Sequence, residues 1–324
     1  MSCTGISISG GDFHDISSDR VHDIYYDHGQ AAAIALVNCT ACDLANINFH
    51  NNTYGITLQD SSQCNIAGGT QYYNSWRAIS ISDSEDIDVT NVDIRNSTIG
   101  IELVTSNDCS ISNCQISNSP IGIELSWSYN CSISNCQIQD NEEGVVLRTA
   151  FNCTLSHNTI FQNTDGIYME DSDDSEIWSN TVYLNHRGVL LNSTSDCLIT
   201  QNNIYNNTGV GICLDTTSNR NVIFNNTFAY NTPNAICEGA LNHWDNQVDT
   251  GNWWSDYSGE GIYIIDENDQ DNFPIISATT TTNGTTSNGS WYIDPLLLGI
   301  VGGAVGIIAI AIIIANRRRI VVID

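Results

Sequence analysis

The chain has 324 residues, 41% of them hydrophobic, and a formal net charge of −28. All nine basic residues are Arg, and three of these form the run Arg317 to Arg319, so residues 1–294 carry six Arg against 36 acidic residues. Such a surface repels nucleic acid and anionic lipid, which excludes both as partners; it suits solubility and attracts cations or basic partners.

The first segment, 1–32, reads as one or more N-terminal coils. Met1-Ser-Cys-Thr-Gly-Ile-Ser-Ile has neither the basic region nor the apolar core of a signal peptide and resembles a strand instead. Export requires a signal, so the expectation is a chain truncated at its N-terminus, the alternative being insertion driven by the tail helix alone. His14, His22 and His28 lie among Asp12, Asp15, Asp23 and Asp27. That set offers donors for a divalent metal, or is a polar loop at the rod's end.

From residue 33 to 241 the sequence repeats with a period of about 22. Gly100-Ile-Glu-Leu, Gly122-Ile-Glu-Leu, Gly144-Val-Val-Leu, Gly166-Ile-Tyr-Met and Gly188-Val-Leu-Leu begin at equal spacing. Ala33, Gly55 and Ala78 open earlier copies; Gly211 and Ala235 open later ones after short insertions. Within each copy aliphatics alternate with polar residues, as in Ile101 and Leu103, which marks a half-buried strand. A second apolar mark follows eleven residues after the Gly (Ile111, Ile133, Leu155, Val222) and a third after sixteen (Ile116, Ile138, Ile160, Ile204). Three short strands per turn, stacked turn on turn, are the expectation. Ten coils at a strand spacing of about 4.8 Å make a rod roughly 50 Å long. Asn158, Asn180, Asn202 and Asn225 share one bend, where stacked amides bond to each other and to backbone.

The closing segment, 242–276, contains Gly251-Asn-Trp-Trp-Ser-Asp-Tyr-Ser-Gly259 and Asp271-Asn-Phe-Pro274. Together with the repeats it resembles the NosD-like family of right-handed parallel β-helix proteins, many of them archaeal surface proteins, over about residues 33–276. The resemblance implies an all-β, right-handed parallel β-helix of about 22-residue coils. The hand comes from the resemblance and from the rule for parallel crossovers. Named members of the family take part in supplying copper to nitrous oxide reductase. Clustered His, Met or thiolate would be needed for that, and this chain has two Met and seven His.

Several side-chain groups are candidates for function. Phe161, Tyr183 and Tyr205 fall seventeen residues after their Gly, facing outward on consecutive coils. They are a stabilising ladder or a platform for sugars. Glu102 and Glu124 are outward neighbours with Trp127, Arg148, Tyr168 and Glu170 nearby, the best candidate cleft. Asn163-Thr-Asp-Gly166 matches the first polygalacturonase motif in letters, but the Asp pair and Gly-His-Gly of that motif do not follow. Cys42, Cys64, Cys109, Cys131, Cys153 and Cys197 lie nine residues after their Gly and are expected inside the rod as free thiols. Cys114 and Cys136 take the Asn bend; Cys213 and Cys237, read as outward on adjacent coils, are the pair most open to bridging. Asp266, Asp269 and Asp271 alternate in a way that suits calcium. Asp171-Ser-Asp-Asp174 and Asp83-Ser-Glu-Asp-Ile-Asp88 are similar acidic bends, and solvated turns account for all three runs as well. No cofactor is required.

The C-terminal part sets the expected compartment. Residues 277–294 are rich in Ser, Thr, Asn and Gly and read as a stalk. Residues 295–316 form an apolar span long enough to cross a bilayer, and 317–324 a basic tail, which places the tail in the cytoplasm and the repeats outside. Ten glycosylation sequons agree with that topology: Asn38, Asn51, Asn96, Asn130, Asn152, Asn192, Asn206, Asn225, Asn283 and Asn288. The expectation is a membrane-anchored surface protein whose rod adheres to glycans or envelope proteins. The alternatives are a carbohydrate-active β-helix enzyme and a copper-handling protein.

Overall fold

The computed structural model describes residues 3–14 and 32–276, which are all strand, turn and bend with no helix among them. The predicted stalk, membrane span, tail, Asn283 and Asn288 lie outside the described residues, as do His22 and His28. The unit spanning residues 1–275 is a parallel β-helix. One long strand per coil, from Ala32–Val37 through Ile121–Ser126 to Ala235–Cys237, builds a ten-stranded parallel sheet, here the first sheet. Two shorter strands per coil, such as Ser132–Ser134 and Gln137–Gln139, build the second, 21-stranded sheet. Coils pair 22 residues apart: Ile101 with Ile123, Ile133 with Leu155, Ile138 with Ile160.

The core follows from that register. All three apolar marks point inward, and Ile101, Leu103, Ile133, Leu155, Ile138 and Ile160 are fully buried. The bends between strands require left-handed backbone, which Asn and Asp tolerate best. Asn38, Asn51, Asn96, Asn130, Asn152, Asn206 and Asn225 all sit there with φ between 53° and 59°. Six of the eight described sequon acceptors are exposed, and Asn192 and Asn206 are half-buried.

Polar residues that turn inward at the bends form columns running along the rod. Asn158, Asn180, Asn202, Asn226 and Asn252 stack so that each backbone N–H and side-chain NH₂ donates to the next amide oxygen, at 2.9–3.0 Å. A second column runs Asn141, Asn163, Asn185, Asn207, Asn231 and Asn234. Ser61, Ser84, Ser106 and Ser128 form a third. Buried turn backbone must find partners somewhere, and these columns supply them coil after coil.

Three expectations need correction, all beyond Gly188. Insertions near residues 209 and 216 shift the frame by one, because the bends absorb an extra residue while the ladders stay in register. The bend column therefore continues at Asn226, not Asn225, which is exposed, and Ile223, not Val222, enters the core. Likewise Ile212 pairs with Ala235 and Leu214 with Cys237. Cys237 thus points inward while Cys213 is half-buried outside, so the two are no bridging pair; both are free thiols. The thiols Cys42, Cys64, Cys109, Cys114, Cys131, Cys136, Cys153 and Cys197 are free and buried as expected, whereas Cys39 is disulfide-bonded.

Candidate functional site

Outward positions divide the rod into two unlike surfaces. On the second sheet they carry mostly Ser, Thr, Gln and Asn, as in Ser110, Ser132, Thr154 and Gln115, Gln137, Thr159. On the first sheet the central outward column reads Thr57, Ser80, Glu102, Glu124, Val146, Tyr168, Leu190, Cys213. Three of the five described Arg residues, Arg77, Arg148 and Arg187, stand on this face, each in a cluster.

The strand Arg77–Ser82 aims Arg77 at Glu102, a carboxylate only 6% exposed, which also accepts a bond from Ser80 Oγ at 3.0 Å. The guanidinium lies 5.2 Å from the Trp76 ring and bonds to the Tyr54 hydroxyl. Arg148, from Glu143–Arg148, meets Glu124 at 2.8 Å, Glu143 at 3.4 Å and Glu170 at 3.7 Å, and lies 5.7 Å over the Tyr168 ring. Arg187 grips Asp165 with two bonds of 2.6 Å, the fork geometry guanidinium makes with carboxylate. Burial pushes Glu143 above the usual carboxylate range against the pull of Arg148. The face therefore offers carboxylate, hydroxyl and aromatic groups, with every guanidinium already paired.

Asp165 belongs to the predicted Asn163-Thr-Asp-Gly166 motif, but its two key residues serve the fold: Asn163 fills a buried column and Asp165 holds Arg187. Of the residues read as a cleft, Glu124, Glu170 and Tyr168 gather on Arg148, whereas Glu102 answers to Arg77 and the exposed Trp127 side chain makes no pairing with them. Sequence reasoning missed Arg77, Glu143 and Arg187. Their offset just before each coil's Gly or Ala was the signal available.

The aromatic row forms as expected. Phe161 stacks on Tyr183 with centroids 5.0 Å apart, and Tyr183 on Tyr205 at 5.1 Å and 4°. Stacking uses up the ring faces, and Tyr205 is 4% exposed, so the row presents edges and hydroxyls rather than open faces. In the closing segment Asp266 caps its own turn through the N–H groups of Asn268 and Asp269. Asp269 is buried, and burial raises its carboxyl. Asp271 is fully buried and accepts bonds from Asn252 N, Trp254 Nε1 and Phe273 N. Among the described residues no three His, Cys, Asp or Glu are grouped to hold a metal ion.

Asp271 and two other carboxylates, Asp256 and Asp215, cap the columns. Each inward column points its N–H donors toward the closing end, so that end carries unpaired positive dipole, as at a helix N-terminus. Asp271 receives the last N–H of one column, Asp256 the last amide of the second at 2.8 Å, and Asp215 the Ser218 hydroxyl at 2.7 Å.

Comparison with known proteins bears on both fold and site. The model of the family described as "Periplasmic copper-binding protein (NosD)" matches residues 3–118 and 66–259. No curated protein matches the sequence. Among solved structures, DFA-IIIase from Arthrobacter chlorophenolicus A6 in complex with GF2 is similar, with TM-score 0.61 and 10% identity over 76% of this chain and 80% of that one. A double mutant of the periplasmic alginate epimerase AlgG gives 0.50 and 14% over 65% and 68%. At such identities the likeness is one of fold. Copper, which the family description implies, finds no fitting donor set among the described residues: no three His, Cys, Asp or Glu are grouped to hold it, and every free thiol but Cys213 is buried.

Proposed function

The chain belongs to the NosD family, and from that premise we propose that it is a membrane-anchored extracellular rod whose first sheet binds glycans. One observation carries this reading. In a molecule built by repetition, the outward face of the first sheet changes from coil to coil and gathers Arg77, Arg148, Arg187, five carboxylates and Tyr168. The coil repeat does not dictate these residues, although their ion pairs also tie adjacent coils together. The apolar run 295–316 and Arg317 to Arg319 support the anchor. Full chain in detergent, applied to a glycan array, should retain a defined glycan class; retention of none defeats the proposal. Protease added to intact cells should remove the repeats and spare a C-terminal tag, and digestion of the tag would reverse the orientation.

A second reading, glycoside cleavage, is favoured by Glu143, whose carboxyl is raised by burial and which pairs in register with Asp165. Release of new reducing ends from a polysaccharide panel tests it, and loss of that release in Glu143→Gln is the expected signature.

A further inference from the structure

One bend of the rod breaks the pattern followed by its equivalents. Five residues after each Gly or Ala the chain turns through left-handed backbone, and the column reads Asn38, Asp60, Asp83, Thr105, Trp127, Thr149, Asp171 and Ser193. Five are Asn, Asp or Ser, which tolerate this conformation; Thr105 and Thr149 are β-branched and strained, and Trp127, at φ 53°, is the one aromatic of the column and strained likewise. It is also 67% exposed. Two residues on, Tyr129 is 52% exposed, and Ser128 between them turns inward. Phe151 pairs with Tyr129 on the next coil. The Trp127 N–H donates to the Arg148 carbonyl at 3.0 Å, so the backbone of this bend adjoins the end of the strand that carries Arg148.

We infer that Trp127 and Tyr129, with Glu124, Glu143, Arg148 and Glu170 beside them, form a binding subsite for an uncharged glycan chain. This rests on the glycan reading above and names the place and the ligand class. The rings of Phe161, Tyr183 and Tyr205 stack on one another. Among the described residues Trp127 has no such ring partner, so its apolar face is free to cover the C–H face of a sugar ring. The charges decide the class. Arg148 faces three carboxylates, and Arg77 and Arg187 are each bound to one. No guanidinium is left to receive a uronate or sulfate, and a net charge of −28 repels a polyanion. Ionised carboxylates accept hydrogen bonds from sugar hydroxyls, which are donors without charge.

The test titrates the full chain in detergent with cellohexaose, mannohexaose and a galacturonic acid hexamer, followed by calorimetry and Trp fluorescence. A neutral hexamer should bind with a fluorescence change and the uronic hexamer should not. Trp127→Asn, which suits the left-handed bend and keeps the fold, should weaken binding at least tenfold at unchanged Tm, while Trp127→Phe retains most of it. Tighter binding of the uronic hexamer, or equal binding by Trp127→Asn, overturns the subsite and leaves the glycan reading standing. If the chain binds no hexamer here and no glycan on the array, both fall.

Discussion

The inward columns and the outward face of the first sheet are built on the same backbone register, yet they obey opposite rules. In the columns one residue type recurs for five or six coils, since each amide must meet an identical amide one strand spacing away. On the outward face neighbours in register mostly differ: past the pair Glu102 and Glu124, the position holds Glu124, Val146 and Tyr168 in three successive coils. Repetition marks residues chosen by the stack, and its loss marks residues chosen by something outside it.

The largest effect expected from this contrast comes from Asn180. Its side chain donates to Leu155 O, Trp178 O and Asn202 Oδ1 and accepts from Asn158. Asn180→Ala leaves these buried groups unpaired and should cost about 3–5 kcal/mol, read as a lower denaturation midpoint. A loss under 1 kcal/mol would show that the columns do not hold the rod. Gln71 tests the rule from the other side. It is fully buried between Phe49 and Ile94 in register, and neither of its side-chain polar atoms has a partner. Gln71→Leu continues the apolar column and should stabilise by about 1–3 kcal/mol; a destabilised variant would point to an internal polar partner.

A smaller effect is expected at the aromatic row, which is outward but repeats over three coils. By the same logic it belongs to the stack. Tyr183→Ser should cost about 1 kcal/mol in stability and leave glycan binding intact. Loss of binding from a folded variant would restore the row as a platform.

The smallest effect concerns pH. Burial raises Asp271 above its ordinary value despite three N–H donors. The folded chain therefore binds this proton at a pH where the unfolded chain, at about 3.9, does not. Asp271 thus contributes stability that is full below the unfolded value and lost as pH rises through the folded one. Burial also works to raise Asp215, but bonds from Ser218, Thr217 and Ser193 hold it below the usual range. Its contribution is present above the unfolded value and lost on further acidification. Tm should rise on acidification from pH 7 toward about 4, and Asp271→Asn should flatten part of that rise. An identical profile in the variant would remove Asp271 as a titrating cap.

Much of this was legible in the residues alone. A 22-residue period with alternating aliphatics admits one economical fold, and Ile133 and Leu155 occupy adjacent coils in register, as their spacing requires. The inward thiols and the stacked Phe161, Tyr183 and Tyr205 follow from counting along the repeat, because side chains alternate across a strand. Counting fails once an insertion intervenes. Whether the extra residue is absorbed before or after a strand depends on which choice keeps N–H groups opposite carbonyls, and only the assembled coils decide that. Thus Asn226 replaces Asn225, and Cys237 turns inward. The partners of the carboxylates were equally hidden. Asp271 looked like an oxygen ligand because its neighbours in sequence are acidic; its neighbours in space are the donors Asn252 and Trp254, 19 and 17 residues away. Periodicity determined the rod, since stacking is local and repeats itself. The tertiary structure decided the ends and the face, where partners come from distant coils and no repeat dictates them.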